Sequence, residues 1–150
     1  MPLDPDVRAM ATGRNFAAFT TLFEDGTPQT NVMWVDADDD HLLINTEVHR
    51  AKFRNVERDP RVSVMIWDAD SPYRFVEVRG RVTEVVRGPE AREHIDACAL
   101  RYLDRRYPAE QIASERAILR ITPDRINRRG LRPHPDVSAV GHAQGARPSA

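Results

Sequence analysis

The residues best equipped for chemistry lie in one short run, Asn45-Thr46-Glu47-Val48-His49-Arg50-Ala51-Lys52-Phe53-Arg54-Asn55-Val56-Glu57-Arg58-Asp59-Pro60. It holds Lys52, the single lysine among 22 basic residues, the others all being arginine. A guanidinium is a planar five-donor fork, whereas an ammonium is a compact point charge with rotatable donors. Either a bias toward arginine left one lysine by chance, or one site needs an amine. Phe53 and Val56 are three apart, and Arg50, Arg54 and Arg58 recur every four residues. This spacing predicts a short amphipathic helix from His49 to Arg58, stopped by Asp59-Pro60. Its start would offer free N–H groups, the positive end of the helix dipole, and Arg50 and Lys52 in the first turn. That set suits a phosphate or a polycarboxylate. The alternative is a solvated stripe in which the three arginines pair with Glu47 and Glu57.

Two further clusters have chemical potential. In Ser71-Pro72-Tyr73-Arg74-Phe75-Val76-Glu77-Val78-Arg79-Gly80, Tyr73 and Phe75 share one face of a strand, and a planar ring could stack on them or on the Arg74 guanidinium. Core packing is the alternative for Phe75, while Tyr73, beside a proline, is expected to be exposed. In Gln29-Thr30-Asn31-Val32-Met33-Trp34, Asn31 alternates with Met33, placing an amide where it can bond the edge of a heterocycle. Trp34 reads as core or as a ring contact.

Other chemistries are excluded by what is missing. There is no G-x-G-x-x-G, no G-x-x-x-x-G-K-[ST], no G-x-S-x-G and no H-E-x-x-H. The five histidines are scattered and read as surface residues, no zinc-ligand spacing is found, and no metal is expected. Cys98, between Ala97 and Ala99, reads as a small buried hydrophobe rather than a nucleophile. A net charge of -1 gives no global field for nucleic acid or an anionic membrane, so any anion site must be local. With one cysteine, no leader-like start and no long apolar run, the expectation is a soluble, cytoplasmic protein.

These groups need a frame, and the periodicities supply one. A helix is predicted from Pro5 to Ala11, capped by Asp4, and strands over Phe16–Phe23, Pro28–Val35, His41–Thr46, Arg61–Trp67, Tyr73–Val86 and Arg116–Ile126. Asp36 to Asp40 reads as an acidic turn. Gly80 marks a bulge or bend inside the longest strand. Pro89 to Leu103 reads as a second main helix. Beyond Arg128 the composition turns to Gly, Pro, Ala, Ser and His, so one domain over 1–128 and a flexible tail over 129–150 are expected. The fold class is mainly β: a closed or nearly closed antiparallel barrel of six strands with short helices.

The clusters, taken in order, resemble a known superfamily. The matching residues are Thr21-Leu22 with Asp25-Gly26-Thr27-Pro28-Gln29, Val32-Met33-Trp34-Val35-Asp36, Asn45-Thr46, Arg50-Ala51-Lys52, Arg54-Asn55, Arg58-Asp59-Pro60-Arg61-Val62-Ser63, and Pro72-Tyr73-Arg74 with Glu77-Val78-Arg79-Gly80. Together they cover about half the chain and resemble the split-barrel flavin and deazaflavin reductases related to pyridoxamine 5'-phosphate oxidase. The coenzyme F420-dependent branch is the most similar, and nothing resembles the pyridoxal-phosphate-binding pattern of true pyridoxamine phosphate oxidases.

The resemblance implies a homodimer of six-stranded FMN-binding-type split barrels with cofactor sites at the subunit interface. It places the cofactor phosphate by Arg50, Ala51 and Lys52, helped by Asn45 and Thr46, and the ring over Asn31, Val32, Met33 and Trp34. The partner subunit would close the site with Tyr73 and Arg74. The implied activity is transfer of a hydride from reduced coenzyme F420 to an electron-poor acceptor such as an enone, quinone, tetrapyrrole or imine, with Tyr73 as candidate proton donor. FMN in place of F420, and a carrier that binds the deazaflavin without turnover, are the alternatives. Arg54, Arg58 and the tail residues Arg132 and Arg147 are candidates for the charged cofactor tail.

Overall fold

The computed structural model describes residues 1–131. The first element forms where expected: the Asp4 carboxylate accepts from the N–H groups of Asp6 and Val7 at 3.0 and 3.2 Å, with Pro5 at the first helical position. This helix, α1 (Pro5–Thr12), buries Val7, Met10 and Ala11. It is followed by β1 (Phe16–Leu22), β2 (Pro28–Met33), β3 (Asp36–Ala37), β4 (Leu42–Glu47), α2 (Ala51–Arg58), β5 (Arg61–Asp68), β6 (Ser71–Arg87), α3 (Pro89–Leu103) and, after a short 3-10 turn at Ala109–Gln111, β7 (Arg116–Arg129).

The strands form one antiparallel sheet in the order β2-β1-β5-β6-β7-β4-β3. It curls round an apolar core built from alternate residues, such as Phe19, Val64, Ile66, Val76, Val78, Leu119 and Ile121, with α1 packed into it. The barrel fold and its short helices are as expected, but there are seven strands rather than six. The extra one is β3, in the segment read as an acidic turn. The Asp38 carboxylate accepts from the N–H groups of Asp40 and His41, and this tight loop lets Asp36 and Ala37 pair with Leu43 and Leu42. A two-residue strand has no period to detect.

Two boundaries also move. β2 stops at Met33, because the Val35 carbonyl accepts from Arg101 Nη1 at 2.8 Å instead of entering the ladder. α2 starts at Ala51 rather than His49, since Arg50 N–H closes a turn onto the Glu47 carbonyl and leaves Arg50 as the N-cap. β4 is buried along its whole length. Leu42 and Ile44 face the main core, while Leu43 packs with Ala91 and Ile118 beneath α3. That second face carries Asn45 and Glu47, and so the site. No helix among the described residues is long and apolar enough to cross a membrane. Most of the tail expected over 129–150, including Arg132 and Arg147, lies outside the described residues.

Gly80 does what its place in the long strand implied: the β6–β7 register shifts there. A Cβ at this position would meet the Thr122 carbonyl oxygen at 2.4 Å. We expect Gly80→Ala to destabilise the fold by ~1–3 kcal/mol, since backbone rather than a flexible side chain must give way. Urea unfolding would check it, and an unchanged midpoint would contradict the close approach.

Candidate functional site

A cleft of about 360 Å³ opens between β2, β4, the start of α2 and α3. Of the residues expected at a cofactor site, Asn31, Val32, Met33, Trp34, Asn45, Thr46, Arg50 and Lys52 line it. Ala51 sits between two lining cations without lining it. Tyr73 and Arg74 are exposed at the start of β6, outside the cleft of their own chain, with Arg74 paired to Asp68 at 3.3 Å. Arg54 and Arg58 are also outside it, donating to the carbonyls of His49 and Leu22.

One end of the cleft is cationic. α2 has no side-chain cap and no acidic residue in its first turn, and the N–H groups of Ala51 and Lys52 have no partner among the described residues, whereas Phe53 N–H bonds the Arg50 carbonyl. Among the described residues neither Arg50 nor Lys52 joins an ion pair, and the solvated stripe paired with Glu47 and Glu57 does not form: Glu47 pairs with Arg116 and His49 instead. The Lys52 pKa is pulled down by burial and by the charges of Arg50 and Arg116. Arg50 and Lys52, beside a helix N-terminus and next to Arg116, whose charge Glu47 partners, form a seat for an anion.

Arg116 is the member that sequence reasoning missed. Its side chain is only 9% exposed. Nε donates to Asn45 Oδ1 at 2.8 Å, Nη1 donates to Glu47 Oε1 at 3.2 Å, and the guanidinium lies 5.2 Å from the Tyr107 ring centroid. Glu47 is buried and accepts in addition from Ala113 N–H (3.0 Å), Ser114 N–H (2.8 Å) and the Ser114 hydroxyl (3.2 Å). Burial pushes its pKa up, but these donors and Arg116 push harder, and the net shift is below 4.5.

The other end is aromatic. Trp34 stacks on Tyr102 with centroids 5.0 Å apart and planes 2° from parallel, and Tyr107 meets Trp34 edge-on at 6.1 Å. Tyr102 is fixed by its hydroxyl, which donates to the Asn15 carbonyl. Along the α3 wall lie His94 and Cys98. His94, expected at the surface, has only 11% of its side chain exposed and bonds Asp36 Oδ2 through Nε2 at 3.0 Å. Cys98 is buried as expected, though it lines the cleft. The i, i+4 spacing of His94 and Cys98 on α3 was the available signal. Asp36 also pairs with Arg101, whose Nη1 donates to the Ala11 and Val35 carbonyls and so anchors α3 to the sheet.

A planar ring carrying a phosphate matches this arrangement: an aromatic wall, an amide at Asn31, and cations with helix N–H groups at the far end. The residues fit a redox cofactor of that description.

The sequence pattern of the pyridoxamine 5'-phosphate oxidase family matches residues 3–130. A solved structure named F420 reductase is 30% identical, with a TM-score of 0.69, and the match covers 80% of this chain and 94% of that one. A conserved hypothetical protein from Mycobacterium tuberculosis is 26% identical over 95% of both chains, with a TM-score of 0.65. HutZ, the heme storage protein from Vibrio cholerae, is 15% identical over 87% of this chain and 96% of that one, with a TM-score of 0.60, and shares the fold.

Glu47→Gln leaves Arg116 buried without its counter-charge, and we expect a loss of ~3 kcal/mol at neutral pH. The stability due to this carboxylate is fully present above its unfolded value of 4.5 and is lost as pH falls through the lower folded value. The variant should therefore lose stability less steeply than the wild type as pH falls from 4.5 to that lower value. Urea unfolding as a function of pH reads both effects, and parallel acid limbs would contradict the assignment.

Proposed function

Because the chain belongs to the pyridoxamine 5'-phosphate oxidase family, we propose that its cleft binds the deazaflavin coenzyme F420 and that the protein is an F420-dependent reductase of small, electron-poor acceptors. The observation that carries this reading is the cationic end, where Arg50 and Lys52 join no ion pair among the described residues and Arg116 is held beside them by Glu47, joined to an aromatic wall in one cleft. The solved structure named F420 reductase, at 30% identity, supports F420 over FMN.

When bound in reduced form, the coenzyme would supply the hydride. The chain's residues then have to bind and orient. Lys52 and Arg50 would take the phosphate with the N–H groups at the start of α2, and Arg116 would face it from β7. Asn31 would hold the ring edge while Met33 and Trp34 pack against its face. Holding donor and acceptor in register can itself supply ~7–11 kcal/mol of the barrier, so little acid-base machinery is required. Tyr73, 78% exposed and outside its own cleft, would reach a site only as a contribution from a second subunit. We propose a homodimer on that ground, and because Val32 beside the cleft is 68% exposed.

Fluorescence titration of the purified protein with F420 and with FMN tests the cofactor. Tight binding of F420 and weaker binding of FMN is expected, and the reverse order would transfer the reading to FMN. Lys52→Ala should weaken F420 binding by ~1.5–3 kcal/mol without loss of fold. Lys52→Arg should weaken it less, because charge is kept and only geometry is lost. Unchanged affinity would remove the phosphate from this corner. Light scattering should report a dimer, and a cofactor-bound monomer would contradict the shared site.

A further inference from the structure

Behind the cationic end runs a chain of polar side chains that anion binding alone does not require. Asn45 is its middle link. Its Nδ2 donates to the Ala91 carbonyl at 2.9 Å and contacts His94 Nδ1 at 3.0 Å, while its Oδ1 accepts from Arg116 Nε at 2.8 Å. Turned over, the amide would set its oxygen against the Ala91 carbonyl and its N–H groups against the guanidinium, so only one orientation satisfies these neighbours. His94 Nδ1 must therefore present a lone pair. The ring is neutral in this arrangement, with its proton on Nε2 donated to Asp36 Oδ2 at 3.0 Å. The same tautomer bears on Asp36, His94 and Cys98, whose ligand atoms lie within 4.8 Å of one another. The Nε2 lone pair that a metal would take already carries a proton, so the three form a hydrogen-bonded group rather than a metal centre.

We propose that His94 is a positioning residue for the phosphate-binding corner: through the Asn45 amide it fixes the Arg116 guanidinium, and a second proton on its ring releases that hold. The inference rests on the cleft reading above. In the charged ring both nitrogens are donors. Nδ1–H then confronts the Asn45 N–H, the amide must turn or withdraw, and Arg116 Nε loses its acceptor. Glu47 still holds Nη1 at 3.2 Å, so the guanidinium is loosened rather than expelled.

The groups facing His94 are Asp36 from β3, Cys98 from its own helix and Asn45 from β4, with Arg101 beyond Asp36 and Arg116 beyond Asn45. Burial disfavours the charged ring, Asp36 and Cys98 favour it, and the balance lifts the His94 pKa to about 9. The sign follows directly: the ring is charged and the hold on Arg116 loosened below that value, and the hold is complete above it.

The test is a fluorescence titration with coenzyme F420, and with FMN in parallel, from about pH 6.5 to about pH 9.5, using wild type, His94→Asn and His94→Leu. In the asparagine variant a side-chain oxygen accepts from Asn45 near the former Nδ1 position and does not titrate. Ionisation of the ligand and of Lys52 acts on all three proteins and cancels in the affinity ratios. Wild-type affinity is expected to rise about tenfold toward alkaline pH relative to His94→Asn, which stays tight throughout. His94→Leu is expected to bind about tenfold more weakly than His94→Asn at every pH. Thermal melts at each pH establish that the variants are folded. A histidine with only a structural role would lower the melting temperature and leave the affinity profiles parallel. Parallel profiles for wild type and His94→Asn overturn the relay while leaving the cleft reading intact. A wild type that binds neither F420 nor FMN overturns the cleft reading and the relay with it.

Discussion

Glu47 is a carboxylate with 1% exposure, and the cationic end of the cleft is organised by the need to keep it charged. A buried charge without partners is among the costliest features a fold can carry. Here two backbone N–H groups, a hydroxyl and a guanidinium meet it. Those partners come from the loop before β7 and from its first residue, so satisfying Glu47 fixes where β7 begins. It also fixes Arg116 against β4, and Arg116 in turn orients Asn45. A single acidic side chain thus couples the ladder between β4 and β7 to the corner where an anion would sit.

That corner gathers like charges. Burial and the charges of Arg50 and Arg116 push the Lys52 pKa down; α2 holds Arg50 and Lys52 there without a carboxylate partner, while Glu47 partners Arg116. On the reading proposed above, a phosphate would relieve the repulsion and satisfy the free N–H groups at the start of α2 at once. Affinity there would draw on geometry already set by the fold, with little ordering left to do on binding.

Much of the frame was legible in the sequence because its elements have strong local signals. α3 coincides with its expected span, Asp4 and Pro5 start α1, and Gly80 marks the shift in β6. The candidate residues on β2, β4 and α2 could be singled out because they cluster within short segments. Arg116 could not. It stands 69 residues from Glu47, and the register that sets them opposite one another is a property of the β4–β7 ladder, invisible to any local period. His94 was assigned to the surface for a similar reason: helical spacing says which residues share a face of α3, not that Asp36 and Asn45 will come to meet that face. β3 escaped because two residues carry no alternation, and its partner was decided by a turn that Asp38 closes.

The shortness of β3 has a consequence for how the molecule keeps to itself in a crowded solution. A sheet that curls without sealing leaves edges, and an edge is a template on which another chain can polymerise. At this edge β3 itself offers only Asp36 and Ala37 as a ladder, and Asp38, Asp39 and Asp40 follow immediately. An incoming strand would find too few backbone groups to pair and a run of like charge to cross. This edge of the split barrel is therefore a poor nucleus for fibrils.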